Sequence, residues 1–331
     1  MIRKTLALAT GGLALLAACT KESPPLQVYF VGSSRFTSGT RSGLSPADTL
    51  AARLFVVADS AGGAGVQEVK VTTTYSPNRA PFAYPSPLTA FIYANQPTGE
   101  QVVYLDTLLT APYRRDFLLT SVFGIRTTTG SERWDFTAYD AASRTGTRSF
   151  QLITRRSDST LVYHDYLLRL NVPARSTISR RFIELKSGLA LPTYTVLGHA
   201  ATLPGNQQNQ IDIVQSVDGL RLFSPDTLGK VVTFSEARWP SASRRATRFH
   251  LTALTATDFA SQTDTTAIRR LFTAPVRQSI TTLVAGRVYA FRTRPTTSTE
   301  PGTFGLLRIV SVPGGSVAGL QLEIRLAKQP M

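Results

Sequence analysis

Catalysis needs a nucleophile, a pair of proton-transfer groups or a set of metal ligands, and this chain of 331 residues carries few of each. Its three histidines, His164, His199 and His250, lie far apart. None has a second histidine or a carboxylate at helical metal-ligand spacing. His164 and Asp165 are neighbours in a strand-like run, which sends their side chains to opposite faces. Carboxylates number 13 Asp and 8 Glu. Asp212, Asp218 and Asp226 would hold calcium only if folding gathered them, since their spacing fits no calcium loop. There is no Gly-x-Ser-x-Gly elbow and no Ser-x-x-Lys pair. Ala61-Gly-Gly-Ala-Gly65 lacks the Lys-Ser/Thr ending of a phosphate loop and reads as a turn. Trp134 lies beside Asp135 and near Asp140, but it alternates with Phe136 and is expected in the core. Trp239, followed by Pro240, is the candidate for an exposed ring that stacks on a sugar. Cys19 is the one cysteine, so there is no disulfide framework and no thiolate metal site. These residues predict no catalytic site, no metal and no cofactor: a protein that is not an enzyme.

The surroundings of Cys19 give it a different task. Arg3 and Lys4 precede an apolar stretch from Thr5 to Leu16, and Leu16-Ala17-Ala18-Cys19 ends it with small residues. A basic start, a short apolar run and a small-residue exit are the parts of a secretion signal, and the run is too short to span a bilayer. The last four residues resemble the bacterial lipobox. That resemblance implies cleavage between Ala18 and Cys19, acylation of Cys19 and retention at a membrane, since two or more acyl chains make a stable anchor. Thr20 follows Cys19, and by resemblance to the sorting rule this favours the outer membrane. The expected divisions are a signal peptide over 1–18 and a lipidated tether over 19–26.

The remaining chain reads as β structure. Runs of β-branched and aromatic residues bounded by turn residues predict strands over 27–31, 49–58, 66–73, 88–93, 101–105, 116–122, 134–139, 147–154 and 160–170. Later candidates are 182–185, 193–199, 211–215, 220–223, 231–234, 287–293, 304–312 and 320–326. One helix is predicted over 258–272, capped by Asp264. Trp134, Phe136 and Ala138 share one strand face, and a tight turn opened by Asp140 follows. This piece resembles the final hairpin of immunoglobulin-like domains of bacterial surface proteins. Gly286 to Thr293 with Gly302 to Val310 resembles a strand pair of Bacteroidota surface lipoproteins, a group with some haem-binding members. The fold class expected is all-β: two β-sandwich-like domains, an immunoglobulin-like one over 27–172 and a second β-rich one over 173–331 with one short helix.

Six aspartates precede Ser or Thr and then a small, aliphatic or Thr residue, placing Thr49, Ser60, Thr107, Ser159, Thr227 and Thr265 in a shared context. The triplet resembles the O-glycosylation sequon of Bacteroidota envelope proteins. Turn and cap chemistry accounts for it equally well, because Asp followed by Ser or Thr is a local hydrogen-bonding pair.

The chain holds 36 basic and 21 acidic residues, for a net charge of +15. Losing the leader leaves 34 basic against 21 acidic side chains, +13. Thirty of the basic residues are arginine, and five Arg-Arg pairs are scattered along the chain. Scatter favours solvated charge over a concentrated anion-binding run. No nucleic-acid-binding signature is present. The expectation is a lipid-anchored, non-catalytic binding or scaffold protein of the outer membrane. It meets the membrane through Cys19, has a glycan or an envelope protein as partner, and takes no nucleic acid. The alternative is a nutrient-capture lipoprotein that passes glycan or haem to a transporter.

Overall fold

The computed structural model describes residues 26–44, 49–58, 65–77, 100–110, 115–126, 130–154, 163–170, 179–198, 207–227, 236–294, 302–314 and 319–327. Cys19, Ala18, Ser60, Ser159, His199 and the expected strands 88–93 and 231–234 lie outside them.

The fold is mostly β, with four sheets and three short helices among the described residues. The N-terminal strands are β1 (Leu26–Phe30), β2 (Arg41–Leu44), β3 (Thr49–Ala58), β4 (Val66–Pro77), β5 (Glu100–Leu108), β6 (Asp116–Gly124), β7 (Gly130–Asp140) and β8 (Thr145–Thr154). They build a three-stranded sheet, β1-β3-β6, and a five-stranded sheet, β2-β8-β7-β4-β5. Strict alternation lets each sheet bury one face: Leu54 and Val56 of β3 and Trp134, Phe136 and Ala138 of β7 are all buried. The two inner faces meet ring to ring. Phe30 packs edge-on against Phe136 at 5.2 Å, and Phe123 stacks on Trp134 at 4.3 Å. The β7–β8 hairpin closes on Asp140, whose carboxylate accepts the main-chain N–H groups of Ala142 and Arg144, each at 2.9 Å.

The C-terminal strands are β9 (Tyr163–Leu170), β10 (Arg180–Glu184), β11 (Leu189–Pro192), β12 (Ile213–Gln215), β13 (Leu222–Phe223), β14 (Ala246–Leu251), β15 (Ser279–Ile280), β16 (Val288–Arg294), β17 (Thr303–Ser311) and β18 (Leu320–Ala327). The helices are α1 (Thr193–Leu197), α2 (Ala256–Ser261) and α3 (Thr265–Arg270). Sheet β14-β16-β17-β18-β9 packs one face on sheet β11-β10-β12-β13-β15 through Phe291, Leu307, Ile324, Ile183 and Leu222. Its other face, with Val288, Ala290 and Leu306, is covered by Phe259 of α2 and Ile268 of α3. Strands buried on both faces read as continuous apolar runs, as Val288 to Phe291 does.

Several sequence expectations change. β9, placed with the first domain, pairs along its whole length with β18, so it belongs to a C-terminal sheet. Residues 193–199, expected as a strand, begin with the α1 turn; Pro192 sets its start, and the Thr195 hydroxyl donates to the carbonyl of Tyr104. The helix expected over 258–272 is two. Asp264 caps α3 from an extended backbone, which a continuous helix cannot contain. α2 starts earlier, at a capping box of Thr255 and Asp258.

Candidate functional site

The outer face of the three-stranded sheet carries the most distinctive surface. In β3 the odd residues turn outward, and Phe55 and Val57 among them are only half-buried. Register places Tyr29 opposite Phe55 and Phe55 opposite Leu118, so three strands contribute one apolar row. Ala51 and Val122 form a second apolar pair. Between them Arg53 spreads over the Phe36 ring at 4.2 Å and donates to the Thr120 hydroxyl at 3.2 Å. Tyr29, Leu118 and Val122 are 44%, 55% and 47% exposed. In an antiparallel sheet with one buried face the solvent side normally turns polar; here Tyr29, Phe55, Leu118, Ala51 and Val122 interrupt that pattern on either side of Arg53 and Thr120. The chemistry open to such a face is recognition, by removing apolar area from water at about 25 cal/mol per Å². A signal for it was present in the sequence: Leu54 to Ala58 is apolar at every position instead of alternating.

The expected site residues are dispersed. Trp239 is fully buried and packs against Phe182 at 5.9 Å, while its carbonyl accepts from Arg244. This corrects the expectation of an exposed stacking ring: the core claims the indole. Trp134 is buried as expected, and its Nε1 donates to Glu132 at 3.2 Å. Glu132 also meets the buried Arg126, which lies over the Tyr75 ring at 4.1 Å. Asp135 faces outward to Arg133 at 2.8 Å.

Both ring nitrogens of His250 have partners, the carbonyl of Pro275 and the hydroxyl of Thr273, each at 3.1 Å. His164 stands opposite Leu326. Folding does not gather the three aspartates. Asp212 pairs with Arg245 at 3.1 Å, Asp218 with Arg221 at 2.9 Å and Asp226 with Arg248 at 2.5 Å. No group of three metal-ligating residues occurs among the described residues.

The Asp-Ser/Thr positions divide by environment. Thr227 is buried and its hydroxyl donates to the Ser224 carbonyl at 2.6 Å, which corrects its expected availability for a glycan in the folded chain. Thr265 is the first residue of α3, where Asp264 accepts the N–H groups of Thr266 and Ala267; cap chemistry explains that triplet. Thr49 is exposed and accepts from Arg180 at 3.4 Å. Thr107 is half-buried on β5, next to the Asp106–Lys70 pair.

Sequence reading missed how the arginines are used. Arg325, buried between the rings of Tyr163 at 4.6 Å and Phe259 at 4.9 Å, donates to the carbonyls of Phe259 and Gln262 at the end of α2 and to Asp165. It thereby satisfies acceptors that a helix end leaves open. Arg308 pairs with Glu323, and Arg269 and Arg292 both lie near the Phe304 ring. Some of the arginines are therefore internal clamps, with Arg126, Arg181, Arg244 and Arg325 buried.

No family model matches this chain, and no curated protein matches it. Among solved structures it is similar to the crystal structure of a DUF4466 family protein from Parabacteroides merdae. The TM-score is 0.34 at 8% sequence identity, over 92% of this chain and 99% of that one.

Proposed function

We propose that this chain is a lipid-anchored envelope protein that binds another protein through the outer face of its three-stranded sheet, and that it acts by recognition and not by catalysis. The carrying observation is the solvent-facing row Tyr29–Phe55–Leu118, with Ala51–Val122 as a second apolar pair beyond Arg53 and Thr120. Exposed apolar side chains grouped across three strands mark interaction sites on folded proteins. The lipobox-like leader supports the anchor, with Cys19 as the attachment point at the outer membrane. The Asp140 hairpin supports reading the N-terminal sandwich as immunoglobulin-like, a scaffold type that hosts recognition surfaces without prescribing their ligand.

Two measurements test the proposal. Metabolic labelling with an alkyne fatty acid should mark the wild-type chain and not Cys19→Ser, and the variant should leave the membrane fraction. A photo-crosslinking residue at Tyr29 in cells should give one defined protein adduct, and the same residue at Thr137 on the far sheet should give none. No labelling overturns the anchor, and no adduct at Tyr29 overturns the binding face.

A further inference from the structure

We infer that β6 is a self-complementary edge through which two copies of this chain pair antiparallel, joining their three-stranded sheets into one. Sheets present unpaired main-chain groups at their edges, and folded proteins guard them with bulges, charges, prolines or short strands. The other edges here are guarded. The pairings of β2, β5 and β11 each contain a register shift. β1 and β15 are short, and β9 and β14 carry His, Asp or Arg side chains. β6 runs nine residues, Asp-Phe-Leu-Leu-Thr-Ser-Val-Phe-Gly, in unbroken register with β3. It has no lysine and no proline, and no strand covers its far side among the described residues.

The direction of its main chain is fixed by one bond. The Ala58 N–H donates to the Arg115 carbonyl at 3.1 Å, so odd positions turn toward β3. The even positions 116, 118, 120, 122 and 124 therefore turn their N–H and C=O groups to the open edge. The Val122 carbonyl agrees: it accepts from the Tyr104 hydroxyl at 2.9 Å and keeps a second lone pair.

The sequence of β6 is suited to pairing with itself. With Thr120 opposite Thr120 of the second copy, Leu118 meets Val122 on the outer face, both of them exposed in the single chain. Asp116 then falls opposite Gly124 of the second copy. At Gly124 the space a side chain would fill holds the Arg180 guanidinium, with Nη1 2.5 Å from the ideal Cβ position. Asp116 is exposed and has no ion pair in its own chain among the described residues. Two-fold symmetry therefore places an Asp116–Arg180 ion pair at each end of the joined strands, as an isologous interface requires. The pairing engages Leu118 and Val122 on β6 and leaves Tyr29 and Phe55, on β1 and β3, open for a different partner.

Cys19 makes the test simple, because Cys19→Ser removes the only thiol. In the full-length Cys19→Ser chain in detergent, Thr120→Cys should oxidise to a disulfide-linked dimer. Paired strand residues lie within the 4.4–6.8 Å Cα range a disulfide spans. Ser149→Cys, exposed on the other sheet, should give none. Adding Asp116→Arg should lower the Thr120→Cys dimer yield roughly tenfold by setting like charges together, and adding Arg180→Asp to that variant should restore it. Absence of the Thr120 dimer, equal dimer from Ser149→Cys, indifference to the charge swap, or linkage of Thr120 to a different protein would each overturn the inference. The adduct at Tyr29 would stand or fall separately.

Discussion

Asp140 shows how much one side chain can decide. Burial works against its ionisation, but the main-chain N–H of Arg144, the Arg144 side chain and the N–H of Ala142 outweigh it and hold the carboxyl below the usual carboxylate range. Asp218 is lowered by the Ser216 hydroxyl and the Leu220 N–H, and Asp258 by the Thr255 hydroxyl and N–H. A carboxylate with a lowered pKa in the fold stabilises it when ionised. That stability is fully present above the unfolded value near 3.9 and is lost as pH falls through the folded value. Asp140→Asn should cost about 1 kcal/mol at pH 7, and the gap to wild type should narrow in urea titrations below about pH 4. A gap that is constant with pH would show that the charge contributes nothing. Asp140 and Asp264 were legible in the sequence because turns and caps are local bonds. Trp239 was not: its burial is set by Phe182, 57 positions earlier in the chain, and no local pattern reports a partner that far away.

At the scale of elements, the strands read well wherever β-branched and aromatic residues alternate between turns. β3 spans 49–58 as expected, and β16, β17 and β18 lie within a residue of theirs. β14 went unread because Arg248 and His250 occupy its outer positions while only Thr247 and Phe249 are buried. α1 went unread because Thr-Tyr-Thr-Val-Leu has strand composition, and its single helical turn is imposed by the Pro192 start and the Tyr104 contact. Gly305 offers a test of element packing. A Cβ there would stand 2.4 Å from Phe291 Cζ and 2.5 Å from the Arg325 carbonyl. The backbone oxygen cannot move without breaking the β17–β18 ladder, so Gly305→Ala should destabilise by about 1–3 kcal/mol. Chemical denaturation measures this, and a variant as stable as wild type would mean that the strands can separate freely.

The whole molecule is tied together where its two halves were expected to part. The core of the N-terminal sandwich continues without a break into Phe182, Leu191, Val196, Val214, Phe223 and Trp239, all from the C-terminal half. Polar contacts follow the same path: Thr195 to the Tyr104 carbonyl, Tyr104 against Tyr194 at 5.9 Å, and Arg180 to Thr49. β9 completes the connection, since the residues that lead out of the first sandwich form an edge of the last sheet. Sheet β11-β10-β12-β13-β15 thus buries Ile183 and Ile213 against one neighbour and Phe182 and Val214 against the other. Losing either neighbour would expose a full apolar face. Unfolding should therefore be one cooperative transition, with calorimetric and van't Hoff enthalpies in agreement. Phe182→Ala should lower that single transition by about 3–5 kcal/mol while leaving it undivided. Two resolved transitions in the wild type, or a split produced by Phe182→Ala, would mean that the shared core does not couple the halves.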